Sequence, residues 1–442
     1  MSGMVHNPQS RKLNGSGRFD VQAVLTEGFT DPVRDVLWGH IYLTPALAAL
    51  IDSAPFMRLH RIMQLGPVFR VYPGATHTRA GHSLGVYHLG RRLLQNLAER
   101  GAAEWLSREG VHSFLCACLL HDLGHFPYTH SLKELPLRSH EALTGAIILN
   151  EPMKSLVGSC GADPEFTAAI VDKELPSRHA ELLFYRKLLS GCLDPDKLDY
   201  LNRDARYCGV PYGAQDVDFI LSRLIPHIER GADIDSRLIP NVEAILFSKY
   251  LMYRTIYWHR QVRSATAMIK KALVNSLESG VLAEEELYNL DDQSLFTLLR
   301  EKTGNSAGSA LAGAVWSGRL FTVAAEIPFV DADHACLKDI SRRSRYEEQL
   351  ASAFRSSGVS LGSDDLIIDL PEPVSFETGL FVRDEQRCFS ESSSAFTAAI
   401  LNSFVKTLYT IRIFVNPLFG KKVETLPELC NILYVKKQWL NL

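Results

Sequence analysis

Residues 111–120, VHSFLCACLL, are apolar on nearly all sides. A helix without a broad polar face has to be enclosed by other elements. This stretch therefore predicts a buried central helix with further helices around it. The flanking sequence supplies them. PALAALIDSAPFMRLHRIMQLG carries Leu50, Ile51, Ala54, Met57, Ile62 and Leu65 at three- and four-residue spacing, the one-faced pattern of a helix. HSLGVYHLGRRLLQNLAER repeats it and stops before Gly101, a helix-ending residue. HEALTGAIILN and SKYLMYRTIYWHRQVRSATAMIKKALVNSLES extend the pattern, so residues 31 to about 278 read as helical throughout. Beyond Gly280 the texture changes. AEEELYNLDDQSLFTLLREK is still helical, but LFTVAAEIPFV, DDLIIDLPEP, GLFVRD and TLYTIRIFV are β-type runs, with SSGVSLGSDD as a loop between elements. The expected architecture is mainly α: a mobile polar tail over 1–20, a helical bundle over 21–280, and a smaller α+β domain over 281–442.

Charge and cysteine usage narrow the classes of function. The net charge of −3 supplies no global field toward nucleic acid or an anionic membrane, so any anion site has to be built locally. The pairs Lys421-Lys422 and Lys436-Lys437 are too short to argue for nucleic acid, which is left open as a partner. The eight cysteines are scattered and form no CxxC pair. That argues against a disulfide framework and for a reduced, cytoplasmic setting. No apolar stretch reaches the roughly 18 residues of a membrane span, and the N-terminus lacks the apolar run of a secretory signal.

The chemistry gathers where the central helix ends. HDLGHFPYTH places His121, Asp122, His125 and His130 directly after the apolar run. Imidazole nitrogen and carboxylate oxygen together suit a first-row divalent metal. A lone His-Asp dipeptide is more often a hydrogen-bonded pair or a cap. This one is accompanied by His82 at the start of one helix, and by Asp194, Asp196, Asp199 and Asp204 near another.

In the order GATHTRAGHSLGV, LLHDLGHFPYTH, LDPDKLDYLNRD, these motifs resemble the HD-domain metal phosphohydrolases, and most closely the deoxynucleoside-triphosphate triphosphohydrolase branch. RLHRIMQLG before them and YRTIYWHRQVR after them are similar to that branch too, so the resemblance covers roughly residues 30–275. It implies an HD-domain bundle whose single divalent ion (Fe, Mn, Zn, Ni or Mg) is ligated by His82, His121, Asp122 and Asp196. Asp196 is preferred over Asp194 because the family motif reads Asp-Lys-x-Asp-Tyr. It implies phosphate contacts from Arg79, Lys197 and Tyr200, with Arg254, Tyr257 and His259 as further candidates. Gln64 and Leu65 match residues that touch sugar and base, and Asp204 matches the acid that receives the 3′-hydroxyl. His125, His130 and His140 match pocket histidines, the second of which protonates the leaving 5′-oxygen.

One departure stands out. Where the family commonly has an acid three positions after that second histidine, this chain has Lys133, followed by Glu134. The implied reaction is hydrolysis of a deoxynucleoside triphosphate at the α-phosphorus, releasing deoxynucleoside and triphosphate. The alternatives are another nucleotide phosphate ester, or a regulator that binds nucleotide or nucleic acid and turns over weakly. The resemblance also implies a homo-oligomer in which DSAPFMRLHRIMQLG would read an activating guanine nucleotide between chains. Asp52 matches the acid that reads the guanine edge. Met57 stands where glutamine is common and His60 where arginine is, so the chain is expected to oligomerise without the usual activation by GTP or dGTP.

Overall fold

The computed structural model describes residues 20–30, 32–304 and 307–420. The predicted tail, apart from Asp20, and the two C-terminal lysine pairs lie outside the described residues. The apolar run forms helix α2 (Arg108–Leu120), and the residues from Phe114 to Leu120 are all buried in the principal core. Ser107 caps α2 by accepting from the Gly110 N–H. The long helix α1 (Arg79–Glu99) lies against α2 and also against α4 (Pro195–Cys208). Full burial of each leucine or phenylalanine here contributes about 1.5–3 kcal/mol. Truncating Leu115 to alanine would cost roughly 2–5 kcal/mol. The short helix α3 (His140–Leu149) begins where the HDLGH loop needs a wall.

The helical expectation holds for most of this region, with two corrections. Two short antiparallel hairpins interrupt it, Pro32–Asp35 with Gly39–Tyr42 and Ile225–His227 with Gly231–Asp233. The run from SKYLMY onward is not one helix. Helix α5 (Ile239–Met252) passes into a π-helical turn over Tyr253–Tyr257, and α6 (Arg260–Glu278) starts afresh with His259 as its cap. The π-helical turn carries Tyr253 and Tyr257, both of which line the site described below; such turns recur at functional sites.

The smaller α+β portion is centred on a three-stranded antiparallel sheet, with β3 (Thr410–Val415) between β1 (Thr322–Pro328) and β2 (Leu366–Asp369). Helix α7 (Ile340–Ser356) packs on it through Leu350 and Phe354, against Ile368, Ile411 and Ile413. Packing is continuous across residue 281. Leu380, Val382 and Phe389 join the principal core, and Val382 forms a parallel bridge with Ile234. A second cluster joins α6 residues to Phe126, Leu143, Ile367 and Phe414. Among the described residues no helix is long and apolar enough to cross a membrane.

Candidate metal and nucleotide site

Three helix ends bring the metal-capable residues together. His82 lies in the first turn of α1, His121 and Asp122 follow the last residue of α2, and Asp196 lies in the first turn of α4. That last turn is fixed by Pro195 at its first position and by Asp194, which caps the helix by accepting from the Lys197 N–H (2.6 Å). Ligand atoms of His82, His121 and Asp122 lie within 4.8 Å of one another. Asp196 Oδ1 is 3.0 Å from His82 Nε2 and 4.0 Å from His121 Nε2.

The two imidazoles are oriented from behind. Asp199, one turn after Asp196 and fully buried, accepts from His82 Nδ1 (2.8 Å), which leaves Nε2 to face the centre. His121 Nδ1 donates to the Cys118 carbonyl (3.0 Å), and its Nε2 is buried with no hydrogen-bond partner. Carboxylate or carbonyl on one ring nitrogen and a ligand position on the other is the arrangement that metal-binding histidines require. This orphaned nitrogen, together with a donor set of two imidazoles and two carboxylates, fits a divalent transition metal. Asp199 is itself held by Trp38 Nε1 (2.6 Å) and by Arg203 through Nε and Nη2 (2.8 and 2.9 Å), and Arg203 reaches on to Asp35 (2.8 Å). Gly85 makes room for this carboxylate: a Cβ there would lie 1.9 Å from Asp199 Oδ1.

The HDLGH loop is clamped on both sides. The buried Arg58 donates to the carbonyls of His125 (2.6 Å) and Leu123. The Gly124 N–H donates to Thr144 Oγ1 (2.8 Å), and a Cβ at 124 would lie 2.1 Å from the His140 carbonyl oxygen. Only glycine allows the loop to approach α3 this closely.

The electrostatics follow from burial and pairing. Burial opposes protonation of His82, but Asp196 and Asp199 outweigh it and push the pKa up to about 10. Burial would raise Asp122, yet His125, His121 and Arg79 hold it well below the usual carboxylate range; Arg79 donates to it at 2.8 Å. Burial, with Arg79 nearby, pushes His125 well down, and burial takes His140 to about 4. His125 and His130 meet through their Nε2 atoms (3.1 Å), and the His125 and His140 rings are 3.9 Å apart. Glu134 lines the same cleft, but its carboxylate is engaged elsewhere. It pairs with Lys270 (3.2 Å) and Arg343, so it does not take the place of the acid that Lys133 replaces.

A cleft of about 560 Å³ opens onto this centre. Its walls include the metal-ligand candidates, Arg79, Lys197, Tyr200, Gln64, Leu65 and Asp204, the histidines His125, His130 and His140, and Tyr257. Asp204 is fixed by His77 Nε2 (2.8 Å) and by the Tyr257 hydroxyl (2.5 Å). Lys197 donates to Asp194 (2.9 Å), and its pKa is raised because Asp194 and Glu377 outweigh burial. Arg254 and His259 stand elsewhere. Arg254 donates to the Tyr250 hydroxyl (2.7 Å), His259 caps α6, and neither lines the cleft.

Several cleft residues escaped the sequence reading: Lys249, Tyr253, Arg263, Lys270 and the segment 372–377. Lys249, Tyr253 and Tyr257 are spaced by four, a one-face signal that was available. The roles of Asp199 and His77 also went unread, although Asp199 follows Asp196 by three. A second group, Glu109, Asp163 and His179, begins at the opposite end of α2, partly exposed and away from the cleft.

Comparison with known proteins agrees with this geometry. Residues 79–158 match the HD domain, and residues 221–439 match an HD associated region. The uncharacterized protein YwfO of Bacillus subtilis is 36% identical over 226 residues, which are 51% of this chain and 50% of that protein. The human deoxynucleoside triphosphate triphosphohydrolase is 26% identical over 276 residues, 55% of this chain and 44% of that enzyme. The chain thus spans about half the length of the curated relatives it matches. A solved structure of a hypothetical protein from Aquifex aeolicus is 25% identical with a TM-score of 0.65, covering 90% of this chain and 99% of that one.

Proposed function

Because the chain belongs to the HD-domain superfamily of metal-dependent phosphohydrolases, we propose that it hydrolyses nucleotide phosphate esters in this cleft. We further propose that its substrate is a deoxynucleoside triphosphate cleaved at the α-phosphorus. One observation carries the reading: the His/His/carboxylate centre shares a single cleft with Arg79, Lys197 and Lys249, cations matched to a polyphosphate rather than to a neutral ester. The similarity to the human triphosphohydrolase supports the finer assignment.

His82, His121, Asp122 and Asp196 would hold the ion. When bound, it supplies a water of lowered pKa and neutralises charge on the phosphoryl group. The remaining work belongs to the chain. Arg79, anchored on Asp122, would fork onto an α-phosphoryl oxygen and stabilise charge that grows in the transition state. Lys197 and Lys249 would take the outer phosphates. Asp204, held by His77 and Tyr257, has its carboxylate preset to accept a sugar 3′-hydroxyl. Gln64 Oε1, buried without a partner, is a second polar contact for sugar or base. His130 would hand a proton to the leaving 5′-oxygen. The orientation of Glu134 toward Lys270 and Arg343 favours a second reading, a nucleotide-binding protein of low turnover, because His130 then lacks an acidic partner.

The test is incubation of purified protein and Mn²⁺ with deoxynucleoside triphosphates, ribonucleoside triphosphates, monophosphates and cyclic nucleotides, followed by ion chromatography. Deoxynucleoside plus inorganic triphosphate is the expected result. Orthophosphate or nucleoside alone from another ester would move the reaction to a different nucleotide bond. No turnover of any nucleotide, with metal bound, would leave only the binding role.

A further inference from the structure

Among the described residues, the α+β portion enters the cleft through one short strap, residues 372–377. Its path is set by apolar anchors. Val374 is buried against Tyr250, Trp258 and Leu408, and Phe376 lies on the same cluster, 5.8 Å from the Phe404 ring. The anchoring delivers a carboxylate to the phosphate side of the cleft. Glu377 Oε2 is 3.2 Å from Lys249 Nζ and 3.8 Å from Lys197 Nζ. Ser375 supports it from within the strap, donating from Oγ to Glu377 Oε1 (3.0 Å), while its carbonyl accepts from Lys249 (2.7 Å). Lys197 keeps its own buried partner, Asp194. Glu377, whose side chain is 41% exposed, is the movable member of the group.

A carboxylate gripped by two ammonium groups occupies the position that a phosphate oxygen would take. We infer that Glu377 is a specificity-determining residue that sets how much negative charge this end of the cleft admits. A polyphosphate has to displace it from Lys197 and Lys249, whereas a single phosphate need not reach those lysines. The inference rests on the nucleotide-phosphohydrolase reading for its meaning, but its test does not. The sign follows from Coulomb's law. A full negative charge a few ångströms from an incoming polyanion opposes binding, and partial exposure reduces the effect without reversing it. Glutamine at 377 would keep the contact from Ser375, and with it the strap, while removing the charge.

The experiment is calorimetric titration of metal-loaded protein with inorganic tripolyphosphate and, separately, with orthophosphate. Glu377→Gln is expected to bind tripolyphosphate roughly tenfold more tightly than the unaltered protein, given one like charge removed at this range, and orthophosphate within about twofold. The gain should shrink as ionic strength rises. Lys249→Ala should weaken tripolyphosphate binding and confirm that the titrated site is this one. Equal or weaker tripolyphosphate binding by Glu377→Gln, or no binding by either protein, overturns the inference. If Glu377→Gln tightens binding while neither protein hydrolyses any nucleotide, the proposed reaction fails and the charge gate stands. If nucleotides are hydrolysed and Glu377→Gln changes nothing, only the gate fails.

Discussion

Asp199→Asn separates orientation of the metal site from its ligands. The carboxylate receives four donors. Trp38 Nε1 and Arg203 Nη2 are on Oδ1, and His82 Nδ1 and Arg203 Nε are on Oδ2. An amide has one accepting oxygen, so its NH₂ must face two of these donors. If it faces His82, the imidazole proton shifts to Nε2, and a ligand becomes a donor. If it faces Trp38, a buried indole N–H is orphaned. In either orientation Arg203, only 1% exposed, loses one of its two carboxylate partners. Breaking a buried ion pair costs about 3–5 kcal/mol. Asp35 remains, so we expect a loss nearer about 2–3 kcal/mol in urea unfolding of chelator-treated protein. Removal of the histidine's orienting partner should weaken metal binding roughly 10–100-fold, measured by competition against a chromophoric chelator. Stability within about 0.5 kcal/mol of the original, the range of neutral surface changes, together with unchanged metal affinity, would refute the assignment of Asp199 as the orienting carboxylate.

Four further outcomes are expected. The double change His121→Ala/Asp122→Ala should abolish stoichiometric metal by elemental analysis while the far-ultraviolet circular dichroism persists; undiminished metal would move the site elsewhere. Lys133→Glu should raise kcat, because Glu134 is committed to Lys270 and Arg343 and leaves His130 without an acidic partner; an unchanged or slower enzyme means another group orients the histidine. Burial lowers Lys270 from 10.5 to about 8, so between those values the unfolded chain binds more protons and stability rises with pH, by up to about 3 kcal/mol. The stability of the original protein relative to Lys270→Met should therefore improve from pH 7 to 9.5, and a flat difference would place the Lys270 pKa near its ordinary value. Finally, GTP or dGTP should leave the rate of dATP hydrolysis unchanged while size-exclusion still reports an oligomer; strong activation with a shift from dimer to tetramer would show that Met57 and His60 do not impair guanine recognition.

The parts of the site that were legible are those carried by short motifs. His82, His121, Asp122 and Asp196 each sit at a helix terminus marked by its own local sequence, and the structure gathers them around one point. The β-type runs after 320 also became strands, because short apolar, β-branched runs bounded by turn residues are a local signal. What stayed hidden depends on distant pairing. Nothing near Asp199 distinguishes an orienting carboxylate from a ligand until His82 is seen on it. Glu377 is an unremarkable charge in sequence and acquires meaning only through its 3.2 Å contact with Lys249. The break at Tyr253–Tyr257 defeated periodicity for a different reason: a π-turn shifts the helical phase without a proline or glycine to announce it.

The cleft walls draw on residues from Ile62 to Glu377, whereas the metal-ligand candidates are complete once Asp196 has been made. During synthesis the cage therefore exists as sequence long before its last wall. A fragment ending before the strap would contain every metal-ligand candidate but would lack Glu377 and the core residues Leu380, Val382 and Phe389. The metal-ligand candidates are thus all supplied by the helical half, whereas the carboxylate at the phosphate side of the cleft comes from the α+β portion.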